Sequence, residues 1–281
     1  MKMHGIGNDF VVLDARPGGS AAGLVLSQDQ ARHLADRHFG IGCDQILIIA
    51  SADVPEADIT MLILNSDGSE AKACGNGSRC VADLVMQQTG RQNLTMDTKG
   101  GMIRAWKEDG LVTIDMGPAR LNWQDIPLAG PADTSEVDLG LEGLPPAVCV
   151  NMGNPHAVHF VDDAEQIDLH LIGPKAEHHH LFPDRANIEF ASSLGGDRLR
   201  MRVWERGVGV TRACGTGACA VAVAAAQTGR TGHEVEVVLD GGSLRITWQK
   251  DGPYAGHVFM RGPTAHVFTG RMVLTGTGAG S

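Results

Sequence analysis

Aromatic residues make up only 4% of this 281-residue chain, so a base-stacking platform for single-stranded nucleic acid is poorly supplied. Lys and Arg number 23 against 33 Asp and Glu, and the formal net charge of −10 lacks the basic footprint that phosphate binding needs. No nucleic-acid partner is therefore expected. Long hydrophobic runs are absent too: the longest, Ala218 to Ala226, falls far short of the ~18 residues of a membrane span, so no membrane partner is expected. The stretch Met1 to Gly5 lacks the apolar run of a signal peptide, and a cytoplasmic location is the expectation. The six cysteines (Cys43, Cys74, Cys80, Cys149, Cys214, Cys219) are not densely spaced, which excludes a secreted disulfide scaffold. No Cys-x-x-Cys pair occurs, so a zinc site is weakly supported and no metal is expected. The internal run His178-His179-His180 reads as solvated loop.

What the chain does have is glycine, 37 residues or about twice the usual share of roughly 7%. Tight turns and close backbone approaches should be frequent. Apolar residues at 43% are enough for a buried core. The most informative feature is an internal repeat. Ile59-Thr60-Met61-Leu62-Ile63-Leu64 leads to Ala73-Cys74-Gly75-Asn76-Gly77 and then to an apolar, helix-like stretch. Leu199-Arg200-Met201-Arg202-Val203-Trp204 leads likewise to Ala213-Cys214-Gly215-Thr216-Gly217, and one offset relates both the cysteines and Met61 to Met201. A second echo pairs Gly7-Asn8 with Gly153-Asn154 at a slightly larger offset, so the halves differ by small insertions.

Each copy reads as strand, glycine-rich turn, helix. Cys80, Val81, Leu84 and Val85 recur at helical spacing, and Ala218 to Ala224 is apolar all round, as suits a buried helix. Ser27 with Gln30 forms a capping box ahead of a helical Ala31–His38 segment. Phe10–Leu13, Ile46–Ile49, Leu111–Asp115, Val158–Val161, Val235–Leu239 and Leu244–Trp248 read as strands, and Pro127–Pro146 as a surface loop. The expected fold is α+β: two similar halves related by a pseudo-two-fold axis, each a mostly antiparallel sheet or barrel wrapped on a central helix. Residues 1–118 form the first half, with a strand in 264–274 returning to it, and 119–263 form the second. A disordered tail is expected over 275–281.

A cysteine just before a helix sits beside unpaired N–H groups and the positive end of the helix dipole, and both lower its pKa. One such cysteine is most simply a small buried hydrophobe. Two in equivalent places of a duplicated chain, meeting across a pseudo-two-fold axis, put one thiol on each side of a substrate. Inverting a carbon stereocentre needs a base on one face and an acid on the other, and two like groups can exchange those roles. The residues thus point to a cofactor-free amino-acid racemase or epimerase using Cys74 and Cys214. A redox pair remains open, as does a cysteine hydrolase, although the latter leaves the second thiol unexplained. A catalytically dead binding protein would be marked by loss of one thiol, and both are present. Cys43, Cys80, Cys149 and Cys219 read as packing residues.

The ordered motifs His4-Gly5-Ile6-Gly7-Asn8-Asp9-Phe10, Gly42-Cys43-Asp44-Gln45, Asn65-Ser66-Asp67-Gly68-Ser69 and Ala73 to Gly77 carry a family resemblance. So do Asn151-Met152-Gly153-Asn154-Pro155-His156, Arg185-Ala186-Asn187-Ile188, Glu205-Arg206-Gly207 and Ala213 to Gly217. From Met3 to Leu274 the chain resembles the diaminopimelate epimerases. The resemblance implies interconversion of LL- and meso-2,6-diaminopimelate, without pyridoxal phosphate or metal, in lysine and peptidoglycan precursor synthesis, by a homodimer. It makes Cys74 and Cys214 the catalytic thiols, with His156 and Glu205 tuning them. Gly75, Asn76, Gly215 and Thr216 would bind the reacting carboxylate, and Asn8, Gln45, Asn65, Asn154, Asn187, Glu205 and Arg206 the rest of the substrate. Arg206 can grip a distal carboxylate bidentately, and Glu205 can offset positive charge nearby. A relative acting on histidine or proline is the enzyme alternative. Val210 stands where the family pattern has an acidic residue, and Cys43 where alanine or phenylalanine is usual.

Overall fold

β-Branched and aliphatic runs set the architecture of the computed structural model, which describes residues 1–274. The described residues divide into two compact units, Met1–Ile114 with 262–274, and Asp115–Arg261. The tail expected over 275–281 lies outside the described residues.

The first unit opens with β1 (Lys2–Gly5) and β2 (Asn8–Asp14), paired antiparallel. Ile6 and Gly7, at φ 46° and 89°, make the turn between them. Helix α1 (Gln28–Ala35) follows, then β3 (Gln45–Ser51), which runs parallel to β2. β4 (Ile59–Asn65) pairs antiparallel to β3, with Gln45 opposite Asn65, and turns back into the short β5 (Glu70–Ala71). Helix α2 (Gly75–Thr89) leads to β6 (Asn93–Thr98), parallel to β4. β7 (Gly101–Glu108) and β8 (Leu111–Pro118) continue as antiparallel neighbours.

The second unit repeats this order. β9 (Ala147–Asn151) pairs antiparallel with β10 (Pro155–Phe160), and Gly153, at φ 95°, makes the turn that Gly7 makes in the first unit. Helix α3 (Leu169–Glu177) precedes β11 (Asn187–Ser193), which lies parallel to β10 with His156 opposite Asn187. β12 (Arg198–Glu205) pairs antiparallel to β11 and turns back into β13 (Gly209–Val210). After α4 (Gly215–Gln227), β14 (Glu234–Leu239) runs parallel to β12, and β15 (Gly242–Trp248) and β16 (His257–Gly262) complete the meander. A last strand, β17 (Ala265–Phe268), pairs antiparallel with β1.

Both central helices are interior, as their composition dictates. Every residue of α4 from Gly217 to Ala225 is buried. Helix α2 buries Cys80, Val81, Ala82, Val85 and Met86, together with Asp83. A buried carboxylate needs partners, and Asp83 has them in Lys107 Nζ at 2.6 Å, Gln87 Nε2 at 3.0 Å and Thr264 Oγ1 at 2.6 Å. The glycine at the end of α2, Gly90, adopts the left-handed conformation that stops the helix.

Two readings of the sequence need correction. The capping box at Ser27 and Gln30 forms, but α1 ends at Ala35 rather than His38. Asp36 is extended, and its carboxylate accepts the N–H groups of His38 and Phe39, closing a turn in place of the helix. The stretch 127–146 is likewise more than surface loop. Leu128, Val137 and Leu139 are buried in the second unit's core beside Cys149 and Phe190, and Val137 bridges to Ala147.

Candidate active site

Within the first unit, Cys74 caps α2 in an extended conformation, and its sulfur accepts the N–H of Gly77 at 3.3 Å. Asn8, at the start of β2, places Oδ1 3.9 Å from that sulfur and accepts Asn76 Nδ2 at 3.3 Å. The Asn8 amide also donates to Asp44 at 2.8 Å. Gln45 and Asn65, opposite one another on β3 and β4, are joined by a 2.9 Å side-chain bond, and Asn65 passes on to Ser69 Oγ at 3.1 Å. Gly75 and Asn76 form the first buried turn of α2. Beneath this amide chain Asp9 takes Lys2 at 2.5 Å and Arg37 at 2.7 Å. Burial alone would raise Asp9, but the bonds from Arg37 and Lys2 outweigh it and hold its carboxyl well below the usual range.

In the second unit Cys214 caps α4 in the same way, accepting the N–H of Gly217 at 3.4 Å. Thr216 Oγ1 lies 3.6 Å from the sulfur, and Asn154 Nδ2 reaches Thr216 at 3.4 Å. Asn154 Oδ1 meets His156 Nε2 at 2.9 Å, while His156 Nδ1 meets Glu189 Oε1 at 2.7 Å, with both side chains fully buried. Glu205, at the end of β12, accepts the hydroxyl of Thr211, and desolvation raises its carboxyl despite that bond. Gly215 and Thr216 open α4 as Gly75 and Asn76 open α2.

Asn187 is committed to the backbone. It donates to the Pro155 carbonyl at 3.0 Å and accepts the N–H of Arg206 at 2.9 Å. The amide thus fixes the turn that presents Arg206, whose exposed guanidinium touches only the Asp184 carbonyl among the described hydrogen bonds. Cys43, Cys80 and Cys149 are buried packing thiols, and desolvation pushes them up to about 11, about 12 and about 12.

Cys214 departs from expectation. A helix N-terminus should lower a thiol, and the Gly217 N–H and the Thr216 hydroxyl do act in that sense. Full burial and the nearby carboxylates of Glu205 and Glu189 outweigh them, and the Cys214 thiol is pushed well up. Glu189 escaped the sequence reading altogether. A signal was available: it is a single acid in the otherwise apolar run Ile188-Glu189-Phe190-Ala191 of a duplicated strand.

Among the described residues no group of three or more His, Cys, Asp or Glu is placed to hold a metal ion, and no helix is long and apolar enough to cross a membrane.

The fold recurs in solved structures of low sequence identity. A probable proline racemase from Agrobacterium radiobacter aligns over 99% of this chain and 94% of its own, with a TM-score of 0.69 at 16% identity. A phenazine biosynthesis protein from Bacillus anthracis aligns over 95% and 96%, with a TM-score of 0.65 at 16% identity. Closer likeness is found in sequence. Diaminopimelate epimerase of Rhodospirillum centenum is 55% identical over 276 residues, 98% of this chain and 92% of its own. That of Acidiphilium cryptum is 52% identical over 274 residues, 97% and 95% of the two chains. The model of the diaminopimelate epimerase family matches residues 1–122 and 148–267, and so takes in both cysteine-capped helices and the polar side chains around each. With the family model matching well over half of the chain and relatives at this identity along nearly its full length, the chain belongs to the diaminopimelate epimerase family.

Proposed function

We propose that this protein interconverts LL- and meso-2,6-diaminopimelate by proton transfer between two thiols. The observation that carries the reading is the repeated cysteine cap. Cys74 and Cys214 occupy the same position of the same strand–turn–helix unit, each followed by a glycine whose N–H reaches the sulfur. Family membership supports the substrate.

In this mechanism one cysteine, as thiolate, takes the α-proton, and the electron pair left on carbon is delocalised into the carboxylate. The other cysteine, as thiol, delivers its proton to the opposite face, and the reverse reaction exchanges the roles. The first turns of α2 and α4, at Gly75, Asn76, Gly215 and Thr216, hold the reacting carboxylate as charge flows into it. Arg206 grips the distal carboxylate, and Glu205 faces the distal ammonium. The amides of Asn8, Gln45, Asn65 and Asn154 read the polar groups of the substrate, with Asn187 acting through the Arg206 turn. His156 and Glu205 set the proton affinity of the thiols. No pyridoxal phosphate is required. The same reading puts the enzyme in the cytoplasm as a homodimer, serving lysine and cell-wall precursor synthesis.

The test is incubation with LL-diaminopimelate in deuterated water, followed by proton NMR without added cofactor. Solvent deuterium should enter the α-carbon as meso product forms. Activity that disappears on dialysis and returns only with a cofactor would exclude this mechanism.

A further inference from the structure

We propose that Glu189 is a positioning residue that makes the two duplicated thiols chemically unequal, by orienting His156 and by keeping negative charge beside Cys214. The inference rests on reading Cys214 as a working thiol. Glu189 is wholly buried, and among the described residues only one of its oxygens has a hydrogen-bond partner, the 2.7 Å contact with His156 Nδ1. A buried carboxylate with a bare oxygen is costly, so a fold gains nothing by keeping one where an apolar side chain would serve.

The first unit shows that an apolar side chain does serve. β2 and β3 pair in parallel with Phe10 opposite Gln45, as β10 and β11 pair with His156 opposite Asn187. Two residues further along each second strand stand Leu47 and Glu189. Their equivalence extends to the helices. A Cβ placed on Gly77 would lie 3.0 Å from Leu47 Cδ2 and 3.4 Å from Cys74 Sγ. One placed on Gly217 would lie 2.8 Å from Glu189 Oε1 and 3.2 Å from Cys214 Sγ. The thiol, the glycine and the strand are duplicated, but Phe10 with Leu47 in one unit has become His156 with Glu189 in the other. The apolar pair satisfies packing, so the ionisable pair is present for chemistry.

Glu189 acts along two routes. Its bond to Nδ1 fixes the imidazole so that Nε2 meets Asn154, and Asn154 and Thr216 continue the chain to within 3.6 Å of the sulfur. Its charge also acts on Cys214 directly. The titratable side chains grouped with that thiol in this unit are Glu189 on β11, Glu205 on β12 and His156 on β10, and both carboxylates disfavour a second anion there. Cys214 therefore rests as the proton donor, and at the position of the first unit equivalent to Glu189 stands Leu47, against Gly77.

Glu189→Gln removes the charge and keeps the shape, and Glu189→Leu installs the side chain the first unit uses. In the substrate-free protein, iodoacetamide alkylation of Cys214 is followed against pH by peptide mass mapping, with Cys74 as internal reference. Both variants should alkylate Cys214 about tenfold faster below the wild-type midpoint, with the Cys74 profile unmoved. With diaminopimelate, kcat should fall about tenfold while KM stays within about twofold, since Glu189 is not itself among the proposed substrate contacts. An unmoved Cys214 profile in Glu189→Gln, or wild-type kcat in either variant, would overturn the proposal. If Glu189→Leu does not fold, Glu189→Gln alone decides both readouts. If the wild type does not turn over diaminopimelate, the substrate reading fails and the alkylation profile still judges Glu189.

Discussion

Replacing Gly217 with alanine tests the same asymmetry from the helix, and Gly77→Ala is its matched control. The new methyl at position 217 would sit 2.8 Å from Glu189 Oε1, 2.9 Å from Met201 Cε and 3.2 Å from Cys214 Sγ. The methionine end is flexible and can swing aside. Glu189 Oε1 cannot, because it is held 2.7 Å from His156 Nδ1 inside a fully buried pair. Overpacking of this kind costs about 1–3 kcal/mol, and loosening a charge-assisted buried bond about 1.5–3 kcal/mol. Alanine returns up to about 1 kcal/mol of helix propensity, which leaves a net loss of about 1.5–5 kcal/mol. At roughly 2–4 °C per kcal/mol, the unfolding temperature should fall by about 3–20 °C. At position 77 the methyl meets the two Leu47 methyls at 3.0 and 3.1 Å, the mobile end of an aliphatic side chain. There the helix gain offsets the crowding, and stability should stay within about 1 kcal/mol of wild type. Differential scanning calorimetry of both variants, with kcat for each, makes the comparison. Equal stability of the two variants would refute the claim that a fixed carboxylate lies against Gly217.

Cys74→Ala and Cys214→Ala should each abolish epimerisation. With an analogue carrying a β-leaving group, each should still eliminate from one configuration, and the two should choose oppositely; a shared preference, read by chiral chromatography, would sink the two-base mechanism. Arg206→Ala should lose about 2–5 kcal/mol in kcat/KM for diaminopimelate. Its circular dichroism and melting should be those of wild type, because Arg206 is exposed, and unchanged kinetics would remove it from the substrate. Asp9 is held below its ordinary range in the folded protein, so its contribution to stability is present above the unfolded carboxyl value and is lost only as pH falls through the lower folded value. Removing Arg37, as Arg37→Met, raises that folded value, and the acid-unfolding midpoint followed by circular dichroism should move to higher pH.

The repeat was legible because its anchors are chemically conspicuous: an Ala-Cys-Gly turn after an aliphatic strand, found twice at one offset. From those anchors the strands at Phe10, Ile46 and Val235 and both buried helices follow by periodicity. The end of α1 was hidden, because Asp36 competes for backbone N–H groups that helical periodicity assigns to the helix. Val137 and Leu139 were hidden among prolines, glycines and acids, since a bridge to Ala147 supplies from a distance the order their own segment lacks. The place of both sulfurs at a helix start was legible, but the state of Cys214 was not. Its helix position argues for a low pKa, and only the packing of β11 and β12 brings Glu189 and Glu205 close enough to reverse that sign.

The pairing of β17 with β1 sets an order of events during synthesis. Lys2 meets Phe268 and His4 meets Ala265, so the sheet that β1 opens lacks this neighbouring strand until residue 268 has been translated, long after β1 itself. The second unit, Asp115–Arg261, is one uninterrupted stretch and has all its own strands as soon as it clears the exit tunnel. The later-made unit is thus able to finish first, while β1 waits with one edge unpaired, the kind of edge that invites pairing with another chain. Truncation before Ala265 should therefore harm the unit that holds β1, more than 250 residues away in sequence, more than the unit it adjoins in sequence.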